Sequence, residues 1–169
     1  MIWSDKAIKD GQRCGRINIS PFDESRLQPN SVDLTLDDEI LVYEWYFDEF
    51  TKRRLSEEIF YLKHGEFILA STAEKVSLGN GVCGQVDGKS SYGRKGLTIH
   101  QTAGFIDAGF TGNITLEMYT VAQPIRLEAG MPICQLVLWD AYPSEKPYGS
   151  EGLGSHYQGQ TGVTESWMK

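Results

Sequence analysis

Asn113-Ile114-Thr115-Leu116-Glu117-Met118-Tyr119 alternates apolar with polar or amphipathic side chains, the repeat of a strand that turns one face to a core and the other to a surface or cleft. Ile114, Leu116 and Met118 fall on one face, and Thr115, Glu117 and Tyr119 on the other. Short segments of strand-like composition lie on either side: Val32–Leu36, Ile40–Tyr43, Glu66–Ser71, Val82–Val86, Leu97–His100 and Ile133–Trp139, separated by Gly, Asn, Asp and Pro. This spacing predicts an all-β sandwich or barrel-like domain. A helix signal opens the chain, with Ser4 as N-cap, Asp5 in the first turn, Trp3 and Ile8 spaced as a hydrophobic staple, and Gly11 as the stop.

The chain has 169 residues, 40% of them hydrophobic, which suits one domain with a real core, spanning residues 1–169. Its net charge of -7 argues against a general nucleic-acid binder or a membrane-surface protein. Cys14, Cys83 and Cys134 are odd in number and widely spaced, fitting neither a disulfide framework nor a zinc site. The N-terminus lacks the pattern of a signal peptide and no apolar run is long enough to cross a bilayer, so the expected location is the cytoplasm, or the host cytoplasm for a viral source. Glu44–Lys63 is charged and aromatic and reads as an excursion packed over the sheet. Pro147–Gly162 is rich in Gly, Ser and Gln and reads as either disordered or a mobile flap that orders on a ligand.

Several stretches carry candidate chemistry. Gly88-Lys89-Ser90-Ser91-Tyr92-Gly93-Arg94 follows a predicted strand and brings together hydroxyls, backbone N–H groups and two cations, the ingredients of a phosphate cradle, although GxxxxGK[ST] is absent. Seen alone, such a turn is more often a solvated loop. In Ala103-Gly104-Phe105-Ile106-Asp107-Ala108-Gly109-Phe110, Asp107 either caps a turn or accepts from a ligand hydroxyl, and Phe110 either stacks on a ring or fills the core. His64, His100 and His156 form no HxH, HxE or HExxH pattern and there is no GxSxG, so water activated here needs a carboxylate.

Together with Gln28-Pro29-Asn30-Ser31-Val32-Asp33-Leu34, Ile114-Thr115-Leu116-Glu117, Pro124-Ile125, Gly130-Met131, Gln135-Leu136 and Tyr157-Gln158-Gly159-Gln160-Thr161-Gly162, these segments resemble the dCTP deaminase branch of the dUTPase superfamily in order and spacing. The resemblance implies a distorted β-barrel or jelly-roll subunit with a short N-terminal helix, assembled as a homotrimer with active sites between subunits and with residues 147–169 as a flap over the site. It implies hydrolytic deamination of dCTP with Glu117 as the catalytic acid–base, and Ser90 and Arg94 placing the water and the base. Lys89, Ser90, Ser91, Tyr148 and Gln160 correspond to triphosphate contacts, with His156 at a further tail position; Asp107 corresponds to the acid near the sugar 3′-hydroxyl and metal-associated water, Phe110 to the aromatic close to the sugar or base, and Ala103 to another substrate-binding position. Mg²⁺ is implied with the triphosphate, held through phosphate oxygens and water and without direct protein ligands, and no zinc. The implied ligands are dCTP and dUTP, with dTTP as a candidate feedback inhibitor.

This chain also departs from the usual pattern. Lys89 replaces an arginine, keeping the charge but losing the planar fork for bidentate contact. His156 stands where a tail lysine is common. Gly104 after Ala103 resembles the bifunctional members that carry dCTP through to dUMP and pyrophosphate. The alternatives are a plain dUTPase, which needs no glutamate at position 117, and a non-catalytic nucleotide-binding regulator.

Overall fold

The computed structural model describes residues 1–168. In chain order these form α1 (Asp5–Cys14), β1 (Ile17–Ser20), β2 (Leu27–Gln28), β3 (Ser31–Thr35), β4 (Glu39–Glu44), β5 (Glu49–Arg54), β6 (Phe60–Leu62), β7 (Phe67–Leu78), β8 (Val82–Gly88), α2 (Ser90–Gly93), β9 (Leu97–Thr98), β10 (Phe105–Ile106), β11 (Thr111–Thr120), β12 (Ile125–Leu127) and β13 (Pro132–Asp140). The larger sheet has the order β5-β4-β7-β11-β9, with β1 also on β7; the smaller has the order β10-β8-β13-β3-β2; β12 and β6 form a separate ribbon.

Strand β7 organises the larger sheet. One edge pairs with β11 from Thr111↔Ser77 to Tyr119↔Phe67. The other takes β4 near its start, at Leu41↔Leu69, and β1 at its end, at Ile17↔Leu78. The inward residues of the two sheets share one core, in which Ile68, Leu116 and Met118 join Leu34, Leu136 and Leu138, all 0% exposed. Each such side chain contributes about 1.5–3 kcal/mol by leaving water. The sheets do not close into a continuous barrel; they form a distorted all-β shell, as the strand spacing predicts.

Three local readings change. The helix runs past Gly11 to Cys14 and ends at Gly15, whose φ of 77° is the left-handed conformation of a C-cap. Gly11 is there for packing: a Cβ would lie 2.4 Å from Cζ3 of the Trp3 ring. The Ser4 cap forms as expected, its Oγ accepting from Ala7 N at 3.3 Å. Glu44–Lys63 is not an excursion, because β5 pairs with β4 along its length and β6 pairs with β12. Its charge disguised it, since an outer edge strand is exposed and has no need of apolar alternation. Strand β1, with Ile17 and Ile19 inward, was too short to register.

One buried carboxylate ties the sheets together. Glu74 on β7 is 1% exposed; it accepts from Thr35 N and Thr35 Oγ1 on β3, both at 2.8 Å, and from Arg26 Nη1 at 2.5 Å. Truncating one partner of a buried pair leaves the other charge uncompensated. Arg26→Ala is therefore expected to lower stability by about 3 kcal/mol in urea unfolding, and Arg26→Lys by less.

Candidate active site

Glu117 lies on the outer face of the larger sheet, in a cross-strand row with Leu69 of β7 and Leu41 of β4. Its backbone neighbours Leu116 and Met118 point into the core, so the strand is pinned from behind while the carboxylate faces outward. The side chain is half-buried, and Oε2 accepts from the backbone N–H of Gln101 at 2.8 Å. It lines a cavity of about 440 Å³ together with Ala103, Asp107, Phe110, Tyr148 and Gln160, so six of the residues singled out in the sequence converge in one chain.

The opposite wall is the segment 103–110. Its β10 pairs with β8 at Phe105↔Gln85 and Ile106↔Gly84, and the Val86 N–H donates to Gly104 O at 2.8 Å. Gly104 passes so close to the His100 ring that a Cβ would approach Cε1 and Nε2 to 2.8 Å. Asp107 is exposed while lining the cavity. Phe110 is 8% exposed and packs on Tyr148 with ring centroids 5.8 Å apart, so it forms a floor beneath an aromatic-sized space and belongs to the core as well.

The serine and cation turn lies elsewhere. Lys89, Ser90, Ser91 and Arg94 do not line the Glu117 cavity. Ser90, Ser91 and Arg94 are exposed on and just after α2, and Lys89 is ion-paired to the largely buried Asp33 on β3. Asp33 has no assigned role in the sequence reading; it stands out only as a charge among the buried positions of Val32–Leu36.

The tail is seated on the bulged start of β11. Gly159 N donates to Thr111 O at 2.7 Å, Asn113 N to Gln160 O at 3.1 Å, and Gln160 Nε2 to Asn113 O at 2.6 Å. Upstream, Tyr148 N donates to Ala108 O at 2.8 Å. His156 does not line the cavity; its ring stacks on Trp167 at 3.7 Å between centroids. Of the segment 147–169 read as a flap, residue 169 lies outside the described residues. Sequence reading also passed over Gln101, which acts through its backbone, and Thr115 and Thr164, whose hydroxyls meet on the cavity wall.

Two of the three cysteines are held in the thiol form. Burial pushes the Cys134 thiol far up, with the Glu74 and Asp33 charges adding to it, and burial chiefly raises Cys83. Among the described residues no group of three or more His, Cys, Asp or Glu side chains is gathered to hold a metal ion.

A family model described as dCTP deaminase-like matches residues 2–141. The chain belongs to the dCTP deaminase-like family. It is 47% identical to a protein of Streptomyces coelicolor named dCTP deaminase, dUMP-forming, over 98% of this chain and 94% of that one. It is 45% identical to a protein of the same name from Streptomyces avermitilis, again over 98% of this chain. Its fold is similar to that of the 2'-deoxycytidine 5'-triphosphate deaminase of Agrobacterium tumefaciens, with a TM-score of 0.71 and 21% identity over 83% of this chain; the match spans about half (48%) of that solved chain. The dCTP deaminase-like family match thus covers the Glu117 strand, the segment 103–110 and the cationic turn, and the relatives' coverage extends it through the tail.

No helix among the described residues is long and apolar enough to cross a membrane.

Proposed function

We propose that this protein hydrolyses dCTP to dUMP, ammonia and pyrophosphate, with Glu117 as the acid–base of the deamination. The observation that carries the reading is a carboxylate half-buried on a rigid strand, held by a backbone N–H, in a cavity with Asp107 and an aromatic floor. The names and identities of the relatives support the same substrate and products.

Replacing the cytosine amino group by oxygen moves two protons from oxygen to nitrogen: the water that attacks C4 gives one to N3, and the resulting C4 hydroxyl gives the other to the amine, which leaves as ammonia as the C4 carbonyl forms. Glu117 carries both in turn, accepting from water and delivering to N3, then accepting from the C4 hydroxyl and delivering to the amine nitrogen, a contribution of roughly 10²–10⁴-fold. Phe110 and Ala103 hold the sugar and base, and Asp107 accepts from the sugar hydroxyl. Tyr148 and Gln160 bind phosphate from the cavity's own chain, and Lys89 and Ser91, which lie outside that cavity, bind it from a neighbouring protomer.

Ser90 and Arg94 place the water and the base from a neighbouring protomer, in a homotrimer whose sites are shared. Their exposure, and their absence from the cavity of their own chain, support this arrangement. Mg²⁺ arrives with the triphosphate. Asp107 is one of the carboxylates lining the cavity, with Glu117 and Glu165; it is exposed to the water shell of such an ion, and one such contact fits a metal that keeps most of its water. When bound, the ion offsets phosphate charge. dTTP, sharing the sugar and triphosphate, competes for the same contacts.

Incubation with dCTP and Mg²⁺, followed by chromatography and ammonia assay, tests the proposal. Ammonia, dUMP and pyrophosphate are expected. Pyrophosphate from dUTP without ammonia from dCTP identifies a plain dUTPase, and no turnover of either identifies a binding protein.

A further inference from the structure

The tail is fastened to the site by contacts that the phosphate-binding roles leave unexplained. Val163, 9% exposed, packs with Leu41 and Leu69, the apolar members of the cross-strand row that ends in Glu117, with Phe50 and Phe67 at its flanks. The next residue, Thr164, donates its hydroxyl to Gln160 Oε1 at 2.7 Å. Its single proton is thereby committed, so in the 3.3 Å contact between Thr164 Oγ1 and Thr115 Oγ1 the donor is Thr115. Thr115 is two positions from Glu117 on the same strand and lines the same cavity. With Gln160 Nε2 donating to Asn113 O, both ends of the Gln160 amide are fixed and one N–H remains for a ligand.

We propose that Thr164, anchored by Val163, is a positioning residue that holds Gln160 over the Glu117 cavity through the relay Thr115–Thr164–Gln160. The inference rests on the proposed function for its effect on turnover, but the clasp itself is independent of which nucleotide binds. Val163 supplies the grip, because a buried apolar side chain holds without regard to orientation. Thr164 supplies the direction, because an amide held at both ends presents its remaining donor at one angle. Without the hydroxyl, Gln160 regains rotational freedom that each substrate must remove on binding.

Thr164→Val keeps the shape and removes the hydroxyl, whereas Thr164→Ser keeps the hydroxyl. Loss of one such hydrogen bond is expected to raise KM for dCTP about fivefold, with kcat within about twofold of wild type, and Thr164→Ser should restore KM. Hydrogen exchange at the Gly159 and Asn113 amides of the nucleotide-free protein should accelerate in Thr164→Val and not in Thr164→Ser, with the melting temperature unchanged. An unchanged KM with unchanged exchange overturns the proposal. So does a fall in kcat with a lowered melting temperature that the serine variant fails to rescue. If the wild-type protein releases no ammonia from dCTP, the functional reading fails and the exchange measurement decides alone: faster exchange upholds the clasp and unchanged exchange defeats it.

Discussion

Glu117→Gln is expected to stop ammonia release from dCTP, lowering the rate by roughly 10²–10⁴-fold, while nucleotide affinity stays within a few-fold of wild type. Glutamine retains an oxygen that can accept from Gln101 N, the bond that fixes the carboxylate at 2.8 Å, so the strand and the cavity wall need not rearrange. What it loses is the capacity to relay two protons in turn, one from water to N3 and one from the C4 hydroxyl to the amine. The two measurements must be made on the same preparation: single-turnover ammonia release, and titration with dCTP followed by tryptophan fluorescence or calorimetry. Turnover near the wild-type rate would remove Glu117 from the chemistry. A matching loss of affinity would make it a binding residue, since uniform binding changes KM and leaves the chemical step alone.

Legibility in the sequence followed the range of the forces involved. The alternation at Ile114–Tyr119 predicted a strand with Leu116 and Met118 inward, because strand geometry converts local spacing directly into facing. Segment 103–110 was readable because close turns demand glycine: at Gly109, with φ 94°, a Cβ would come within 2.8 Å of Tyr148 O. Glu49–Arg54 escaped, since an exposed edge strand needs only a partner for its backbone, and that partner, β4, satisfies it whatever its side chains are. The pairing of Lys89 with Asp33 spans 56 residues and has no local signature. Likewise, nothing around Val163 or Thr164 advertises a docking site. Their places depend on the row Leu41–Leu69–Glu117, which exists only once three strands are in register. His156 shows the reverse case, a position that family pattern assigned to phosphate but that the fold stacks on Trp167.

Mixing Glu117→Gln protein with Arg94→Ala protein is expected to restore deamination that neither variant has alone. Arg94 is exposed and outside the cavity of its own chain, and on the proposed shared site it is a neighbour's Arg94 that serves Glu117. In the proposed ring of three with a site at each junction, a junction is intact when its Glu117 comes from the arginine variant and its Arg94 from the glutamine variant. Random reassembly of equal amounts makes about a quarter of junctions intact, so activity should return to about a quarter of the wild-type value per subunit. The recovery should require exchange of protomers, appearing after dilution from mild denaturant or on coexpression and not on brief mixing. Removing both groups from one chain and mixing it with wild type gives the converse, a loss steeper than dilution alone, because each damaged protomer disables two junctions. If Arg94 instead served Glu117 within one protomer, every mixed assembly would stay inactive, since no chain would carry both groups. Zero recovery with exchange demonstrated by mass spectrometry would therefore defeat the shared site while leaving the role of Glu117 untouched.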